Sequence, residues 1–173
     1  MTDDDELLDL VDDSDNVVGT ILRAEAHAKD VSNVRAIHAF VKNSQDELWI
    51  ARRAKQKKVA PLALDASVSG HVNSGESYEQ GLIRETMEEI GLDLNKLVFK
   101  ELAYLSRAEH NVYCFEKVYE IKFDGEPKYN QMEISEGYWL SLAEIKRRIK
   151  RGDNFKSDVP KIIEIVYCKL ATK

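Results

Sequence analysis

Three glutamates near the middle of the chain have the spacing of one helical face. Glu85, Glu88 and Glu89 are separated by steps of three and four residues, and side chains at such steps stack on one side of an α-helix. Their charges repel one another, and the helix macrodipole disfavours negative charge near a C-terminus. Two interpretations follow from the residues: a solvated acidic face, or a site for hard divalent cations, which bind carboxylate oxygens. Spacing alone does not decide between them.

The helix that carries these glutamates has recognisable ends. Ser77 followed by Gln80 is a capping-box pattern, and Gly91 suits the position after the last helical residue. A helix is therefore predicted over Tyr78–Ile90. Its apolar side, which we expect to be buried, comprises Leu82, Ile83, Thr86, Met87 and Ile90.

Other stretches of the chain predict a succession of strands and two further helices. The strands are expected at residues 17–23, 34–42, 47–53, 64–69, 98–107, 112–123 and 137–140, and the helices at 142–151 and 158–170. The second and third strands flank the turn-forming sequence Asn-Ser-Gln-Asp and should form a hairpin. Strands interspersed irregularly with helices favour a mixed α/β (α+β) sandwich over a doubly wound parallel sheet.

The composition is that of an ordinary globular protein. Its 173 residues are 43% hydrophobic and 32% charged, so we expect one domain over residues 1–173, with a strand or hairpin extension at 1–30. The net charge of −6 argues against nucleic acid or an anionic membrane as a partner. An acidic N-terminus, no long apolar run and two cysteines favour a cytoplasmic protein without disulfides.

The surroundings of the glutamates resemble the Nudix box. Gly70, Glu76 and the run RETMEEIGL at 84–92 follow the order and spacing of that motif. Residues 69–91 would then form its loop and helix. Thr86 is a mild departure, because the family usually has a larger aliphatic residue there. The resemblance implies the Nudix fold, in which a mixed β-sheet is sandwiched between α-helices.

The resemblance also implies a reaction. Nudix enzymes hydrolyse a diphosphate linkage in nucleoside diphosphate derivatives and related organic diphosphates, so a small-molecule diphosphate is the expected substrate. In the family, the glutamates matching Glu85, Glu88 and Glu89 bind Mg²⁺ or Mn²⁺, and Glu88 or Glu89 is the candidate general base. The motif positions with structural roles are Gly70, Glu76, Arg84 and Gly91, with Glu76 and Arg84 expected to pair. The apolar face of the predicted C-terminal helix can pack on a partner as easily as on its own sheet, so a homodimer is a further possibility.

Outside the box, the chain resembles type I isopentenyl-diphosphate isomerases, which share the Nudix fold. The stretches IHAFV, LWIARRAKQKK and SVSGHV carry this likeness. It places Arg53 and Lys57 where isomerases bind the substrate diphosphate, although a solvated basic loop is the alternative. His71, and less closely His38, match isomerase metal ligands, but His27 does not keep the isomerase spacing. A lone histidine on a strand is more often hydrogen-bonded than metal-bound.

Two positions argue against isomerase activity. Ser69 stands where isomerases carry a catalytic cysteine, and the pKa values of a hydroxyl and a thiol differ too much for a simple exchange. Asn111 aligns with an isomerase glutamate, while Glu109 matches the accompanying metal ligand. A hydrolase is therefore predicted. The alternatives are isopentenyl-diphosphate delta-isomerase activity and a Nudix-fold module that senses a ligand without catalysis.

A second acidic segment follows further along the chain. In QMEISEGYWL, Glu133 and Glu136 lie where many Nudix hydrolases place an additional glutamate, so either is a candidate metal ligand or base. Both can equally be surface residues of a loop, and the sequence does not choose between them. The neighbouring Tyr138 and Trp139 are interpreted as core residues rather than a stacking platform for a nucleobase.

Overall fold

The computed structural model describes residues 5–169. Its elements are, in chain order, β1 (Leu7–Val11), β2 (Val17–Leu22), α1 (Arg23–Ala28), β3 (Arg35–Lys42), β4 (Glu47–Arg53), β5 (Leu64–Asp65), β6 (Val68–His71), α2 (Tyr78–Ile90), β7 (Phe99–Leu105), α3 (Arg107–His110), β8 (Phe115–Lys122), β9 (Ile134–Ser141), α4 (Leu142–Arg151) and α5 (Val159–Ile163). A π-helical segment, Glu164–Lys169, continues α5. Leu170, in the predicted C-terminal helix, and residues 1–4 of the predicted extension lie outside the described residues. Within residues 5–169, no helix has the length and apolar composition needed to cross a membrane.

Seven strands form one mixed sheet. Its parallel pair is β3 with β8, in register from Arg35 opposite Phe115 to Lys42 opposite Lys122. The remaining pairs are antiparallel: β4 and β6 pair with β3, β7 pairs with β8, and β5 and β9 pair with β4. The predicted hairpin of β3 and β4 is confirmed.

An apolar core lies on each face of this sheet. Successive side chains of a strand point to opposite faces, and β3 accordingly contributes Ile37 and Val41 to one core and Phe40 to the other. The first core lies under α2, and the second lies under α4 and α5. Burying one such side chain contributes about 1.5–3 kcal/mol, so helices are held on both sides of the sheet. The predicted fold class, a mixed sheet sandwiched between helices, is confirmed.

The strand predicted at 64–69 is wrong as a single element, because the chain changes partner within it. β5 pairs with β4, whereas β6 pairs with β3. Ser67, between the two, is buried. Its hydroxyl donates to the carbonyl of Trp49 and accepts the N–H of Val41 at 2.7 Å. The Ser67 side chain thus supplies hydrogen bonds at the point where the chain changes from pairing with β4 to pairing with β3.

The hairpin of β1 and β2 forms a separate two-stranded sheet. It docks on the loop that leads into α2. The N–H of Ser74 donates to the carbonyl of Leu7 at 2.7 Å, and the Ser74 hydroxyl donates to Asp9 at 2.6 Å. The hydroxyl of Tyr78, at the start of α2, donates to Asp15 at 2.9 Å. The hairpin, which lies outside the main sheet, therefore holds the loop before α2 in place by hydrogen bonds.

Candidate active site

α2 begins and ends where the sequence predicts. The N–H of Gln80 donates to the Ser77 hydroxyl at 3.2 Å, and the N–H of Ser77 donates to the Gln80 side chain at 2.8 Å. Both halves of the capping box are therefore formed. Gly91 follows the helix with a φ of 66°, a left-handed conformation in which a side chain would be strained. The local signals for both ends are confirmed.

The buried face of α2 differs from the prediction at two positions. Met87, predicted in the core, is 48% exposed, whereas Glu85, predicted on the acidic face, is 7% exposed. Glu85 is buried because its carboxylate lies against Gly70 of β6 and accepts a hydrogen bond from Arg84. A carboxylate paired with Arg84 is thus buried on α2, whereas an apolar side chain of the same helix is exposed. Thr86, the departure from the family pattern, is fully buried.

Gly70 is needed for the position of this carboxylate. A β-carbon built on Gly70 would lie 2.2 Å from the carboxyl carbon and one oxygen of Glu85, far inside van der Waals contact. Any other residue would push Glu85 away from β6. The glycine of the motif is therefore explained by a close approach of two elements.

Arg84 joins the loop, β6 and α2. Its Nε and Nη2 donate to the two carboxylate oxygens of Glu76 at 2.9 and 3.0 Å, a bidentate pair. Nη2 also donates to the carbonyl of His71 at 2.9 Å. Nη1 donates to Glu85 at 2.7 Å and to Glu88 at 3.3 Å. The predicted pairing of Glu76 with Arg84 is present, and Arg84 also contacts the acidic face.

The three glutamates have different environments. Burial raises the pKa of Glu85 to about 7, against the opposing charge of Arg84. Burial, followed by the charge of Glu85, raises the pKa of Glu89 well above its usual value, although the N–H of Ser69 donates to it at 3.1 Å. The Glu88 side chain is 57% exposed. Burial therefore raises the pKa values of Glu85 and Glu89 more than repulsion between neighbouring carboxylates does.

The glutamates line a cavity of about 930 Å³, a size typical of pockets for small organic ligands. We call Glu85, Glu88 and Glu89 the acidic side of this cavity. Five cationic residues line the same cavity: Arg23, Arg53, Lys57, Arg84 and Lys156. We call Arg53, Lys57 and Lys156 its basic side. The structure thus brings the predicted metal ligands and the predicted phosphate ligands, Arg53 and Lys57, to one cavity.

The predicted phosphate ligands are each paired with an acid. Nη1 of Arg53 donates to Asp65 at 2.8 Å, and Nζ of Lys57 donates to Glu133. Asp65 is buried. Burial tends to raise its pKa, but the positive charges of Lys156 and Arg53 outweigh that effect and hold the pKa below the usual value. The basic side therefore carries its own counter-charges.

The second acidic segment is divided between the cavity and the surface. Glu133 lines the cavity. Glu136 is exposed on β9, where its carboxylate lies 3.3 Å from the guanidinium of Arg52. Tyr138 and Trp139 are partly buried and pack against the two apolar cores, as expected. Of the two candidate glutamates, the structure brings only Glu133 to the site.

Glu109 and Asn111, the two positions matched to isomerase acids, belong to α3 and its end. Glu109 is exposed, and its N–H donates to the capping hydroxyl of Ser106 at 3.4 Å. Asn111 ends α3 in a left-handed conformation, with a φ of 52°. Neither residue lines the cavity of the glutamates.

Three histidines, His27, His38 and His71, line the cavity as well. Burial, followed by the charge of Arg23, lowers the pKa of His71 well below its usual value, and its ring centroid lies 5.5 Å from that of His27. His38 is almost completely buried, with Nε2 3.5 Å from a carboxylate oxygen of Glu116. His71 is therefore neutral at ordinary pH, the state in which imidazole can bind a metal.

The donor set of the acidic side suits a hard cation. Carboxylate oxygens are the ligands that Mg²⁺ takes from proteins, and added positive charge would offset the cost of ionising two buried glutamates. Within residues 5–169, no group of three or more His, Cys, Asp or Glu side chains is arranged to hold a metal ion. Arg84 donates to one oxygen of the Glu85 carboxylate and to one oxygen of the Glu88 carboxylate here, and each carboxylate has a second oxygen with which to bind a cation.

Sequence reasoning did not single out Asp65 or Lys156. Asp65 joins Arg53 to Ser69, whose hydroxyl donates to it at 3.0 Å. Nζ of Lys156 lies 3.3 Å from the same hydroxyl. Lys156 is one of 25 Lys and Arg residues and belongs to no motif, so no local signal marks it.

The chain matches known proteins over most of its length. The NUDIX domain family matches residues 32–159. An uncharacterized Nudix hydrolase of Nostoc sp. is 44% identical over 167 residues, which cover 96% of this chain and 99% of the relative. A Nudix hydrolase of Deinococcus radiodurans is 40% identical over 163 residues, covering 94% and 95%. Isopentenyl-diphosphate Delta-isomerase 1 of Photorhabdus laumondii is 29% identical over 153 residues, covering 84% and 85%.

The fold agrees with these matches. The crystal structure of a protein from Deinococcus radiodurans superposes with a TM-score of 0.90 at 39% identity, covering 94% of this chain and 99% of that one. The complete box, its geometry on α2 and the hydrolase relatives agree with one another. The chain therefore belongs to the Nudix family of hydrolases.

Proposed function

We propose that this Nudix hydrolase cleaves a diphosphate linkage in a nucleoside diphosphate derivative or a related organic diphosphate, with Mg²⁺ or Mn²⁺ held by Glu85, Glu88 and Glu89. The observation that carries the proposal is that these carboxylates and the cationic groups of Arg53 and Lys57 line one and the same cavity. A diphosphate is densely anionic, so cations from a metal and from the protein together can neutralise it.

The residues of the chain have separate tasks in this reaction. A cation on the acidic side would supply positive charge to the diphosphate oxygens and make a water molecule more acidic. Glu89, which the N–H of Ser69 holds at 3.1 Å, is a carboxylate in a defined position to accept a proton from that water, and Glu88 is the alternative. Arg84 and Glu76 fix the loop against α2.

The isomerase and sensing alternatives have weaker support. The hydroxyl of Ser69 cannot replace a thiol as the acid or base that transfers a proton to or from a substrate carbon. This hydroxyl also donates a hydrogen bond to Asp65. Glu109 and Asn111, the other isomerase-matched positions, do not line the cavity. A module that only senses a ligand has no need for a complete acidic side, yet Glu85, Glu88 and Glu89 are all present.

The test is product release from a panel of diphosphates by the wild type and Glu89→Gln in the presence of Mg²⁺. The panel contains nucleoside di- and triphosphates, NADH, ADP-ribose, nucleotide sugars, CoA and isopentenyl diphosphate. At least one member should be hydrolysed, and the variant should be slower by about 10²–10⁴-fold, the usual contribution of general base catalysis. Glu79→Gln, which removes an exposed charge from the first turn of the same helix, should keep wild-type activity.

Three results would contradict the proposal. Hydrolysis that survives removal of divalent cations by EDTA would contradict the metal requirement. Binding of a panel member without turnover by the wild type would favour the sensing module. Migration of the double bond in isopentenyl diphosphate would favour the isomerase.

A further inference from the structure

We propose that Lys156, in the segment between α4 and α5, binds a phosphate group of the substrate directly. The inference rests on the proposed diphosphate substrate and adds a binding residue that lies outside the box. Lys156 lines the same cavity as Glu85, Glu88 and Glu89.

The backbone around Lys156 is attached to the edge of the main sheet. The N–H of Leu64 donates to the carbonyl of Asn154, and the N–H of Lys156 donates to the carbonyl of Leu64, both at 2.8 Å. Leu64 and Phe155 form a parallel β-bridge, and both pack in the apolar core under α4 and α5. Lys156 therefore extends from an anchored segment, which lowers the entropy lost when its side chain binds a ligand.

The Lys156 ammonium lies beside the acidic side of the cavity. Its Nζ is 3.3 Å from the hydroxyl oxygen of Ser69. The backbone N–H of the same Ser69 donates to Glu89 at 3.1 Å. One residue of β6 thus contacts both the lysine and the candidate base. A phosphate group beside the acidic side would be within reach of a cation placed there.

Lys156 is also the most loosely paired cation of the basic side. Arg53 and Lys57 each donate to a carboxylate within hydrogen-bond distance. The carboxylate closest to Lys156 is that of Asp65, at 3.8 Å, and the oxygen concerned already accepts a hydrogen bond from Arg53 at 2.8 Å. The Lys156 side chain is 21% exposed, so its ammonium can exchange a hydroxyl contact for a charge-assisted hydrogen bond to phosphate.

A purely structural role is the competing explanation. Lys156 contributes to the lowered pKa of Asp65, so it could serve only to balance that buried charge. The two roles make different predictions. A counter-charge matters for stability, whereas a phosphate ligand matters for affinity toward a diphosphate at unchanged fold.

The experiment is calorimetric titration of the full chain with methylenediphosphonate in the presence of Mg²⁺. The bridging carbon of this probe cannot be hydrolysed, so the measurement does not depend on turnover. Lys156→Gln should weaken binding by about tenfold, the loss of one charge-assisted hydrogen bond. Lys156→Arg should restore most of the affinity. Lys146→Gln, the same change at an exposed position of α4, should bind like the wild type.

Equal affinity of Lys156→Gln and the wild type, or no binding of the probe by the wild type, would overturn the proposal. The double variant Asp65→Asn/Lys156→Gln guards against a folding defect, because it removes both charges of the pair. If Lys156 is a phosphate ligand, the double variant also binds weakly; if it is only a counter-charge, the double variant binds like Asp65→Asn alone. Failure of the diphosphate panel with retained, Lys156-dependent binding would contradict the hydrolase proposal and leave this one standing.

Discussion

The acidic and basic sides of the cavity are built in different ways. The acidic side comes from one continuous stretch, residues 69–91, in which a strand, a loop and α2 follow one another. The basic side is assembled from remote segments. Lys57 is 76 residues from its partner Glu133, and Lys156 is 87 residues from Ser69. One side is therefore a product of local sequence, and the other is a product of tertiary contacts.

The two sides also differ in charge balance. Arg53 and Lys57 have Asp65 and Glu133 as counter-ions, so two of the three cations of the basic side are paired within the protein, and Lys156 shares Asp65 with Arg53. Glu85 and Glu89 have raised pKa values because they are buried. The cations of the basic side are therefore held by acids of the protein, whereas burial disfavours the charged form of Glu85 and Glu89 on the acidic side.

Asp65→Asn should produce the largest loss of stability and should act on the basic side. The buried carboxylate pairs with Arg53 and Lys156, and its removal leaves two cations close together without their counter-charge. We expect the free energy of unfolding near neutral pH to fall by about 3 kcal/mol, measured by urea denaturation. Asp46→Asn, which breaks the exposed pair with Lys42, is the control and should change stability little.

The pH dependence of this loss gives a second check. The pKa of folded Asp65 lies below the unfolded value of 3.8, so its stabilisation is present above that pH and disappears as the pH falls through the folded value. The difference in unfolding free energy between the wild type and Asp65→Asn should be constant above about pH 5 and shrink below pH 3.8. A difference that grew toward acid pH would contradict the ion pairs.

Gly70→Ala should have an intermediate effect, on the acidic side. The added methyl group would lie 2.2 Å from the carboxylate of Glu85, so β6 and α2 must separate or Glu85 must leave Arg84. We expect a loss of about 1–3 kcal/mol in thermal or urea unfolding, together with loss of most hydrolytic activity. Gly19→Ala in β2, where the closest atom is 3.8 Å away, is the control. Wild-type activity of Gly70→Ala would refute the role given to Glu85.

Ser77→Ala should have the smallest effect. It tests how far the acidic side depends on the local signal that begins α2. It removes the cap that accepts the Gln80 N–H, which should cost about 1 kcal/mol in unfolding free energy. Ser141→Ala, which removes the equivalent cap of α4 at the N–H of Glu144, is a matched variant away from the glutamates. Activity should be unchanged in both. Reduced activity in Ser77→Ala alone would show that the first turn of α2 also positions the acidic side.

The elements that the sequence predicts well are those with local signals. The ends of α2 follow from Ser77, Gln80 and Gly91, and each makes the contact or adopts the conformation that its type favours. The hairpin of β3 and β4 follows from the turn-forming sequence Asn-Ser-Gln-Asp between the two strands. The errors have tertiary causes: the break in the strand at 64–69 reflects a change of partner, and the burial of Glu85 depends on Gly70 and Arg84.

Residues 69–91 specify the acidic side almost completely, because helical periodicity and capping act over a few residues and place three carboxylates on one face. Gly70 and Glu76 add contacts within the same stretch. Lys156 and Asp65 show the opposite case. Their meeting requires β5 to pair with the segment after α4 through Leu64 and Phe155. Only the folded sheet brings these positions together, because the register of distant segments depends on side-chain packing that no local pattern records.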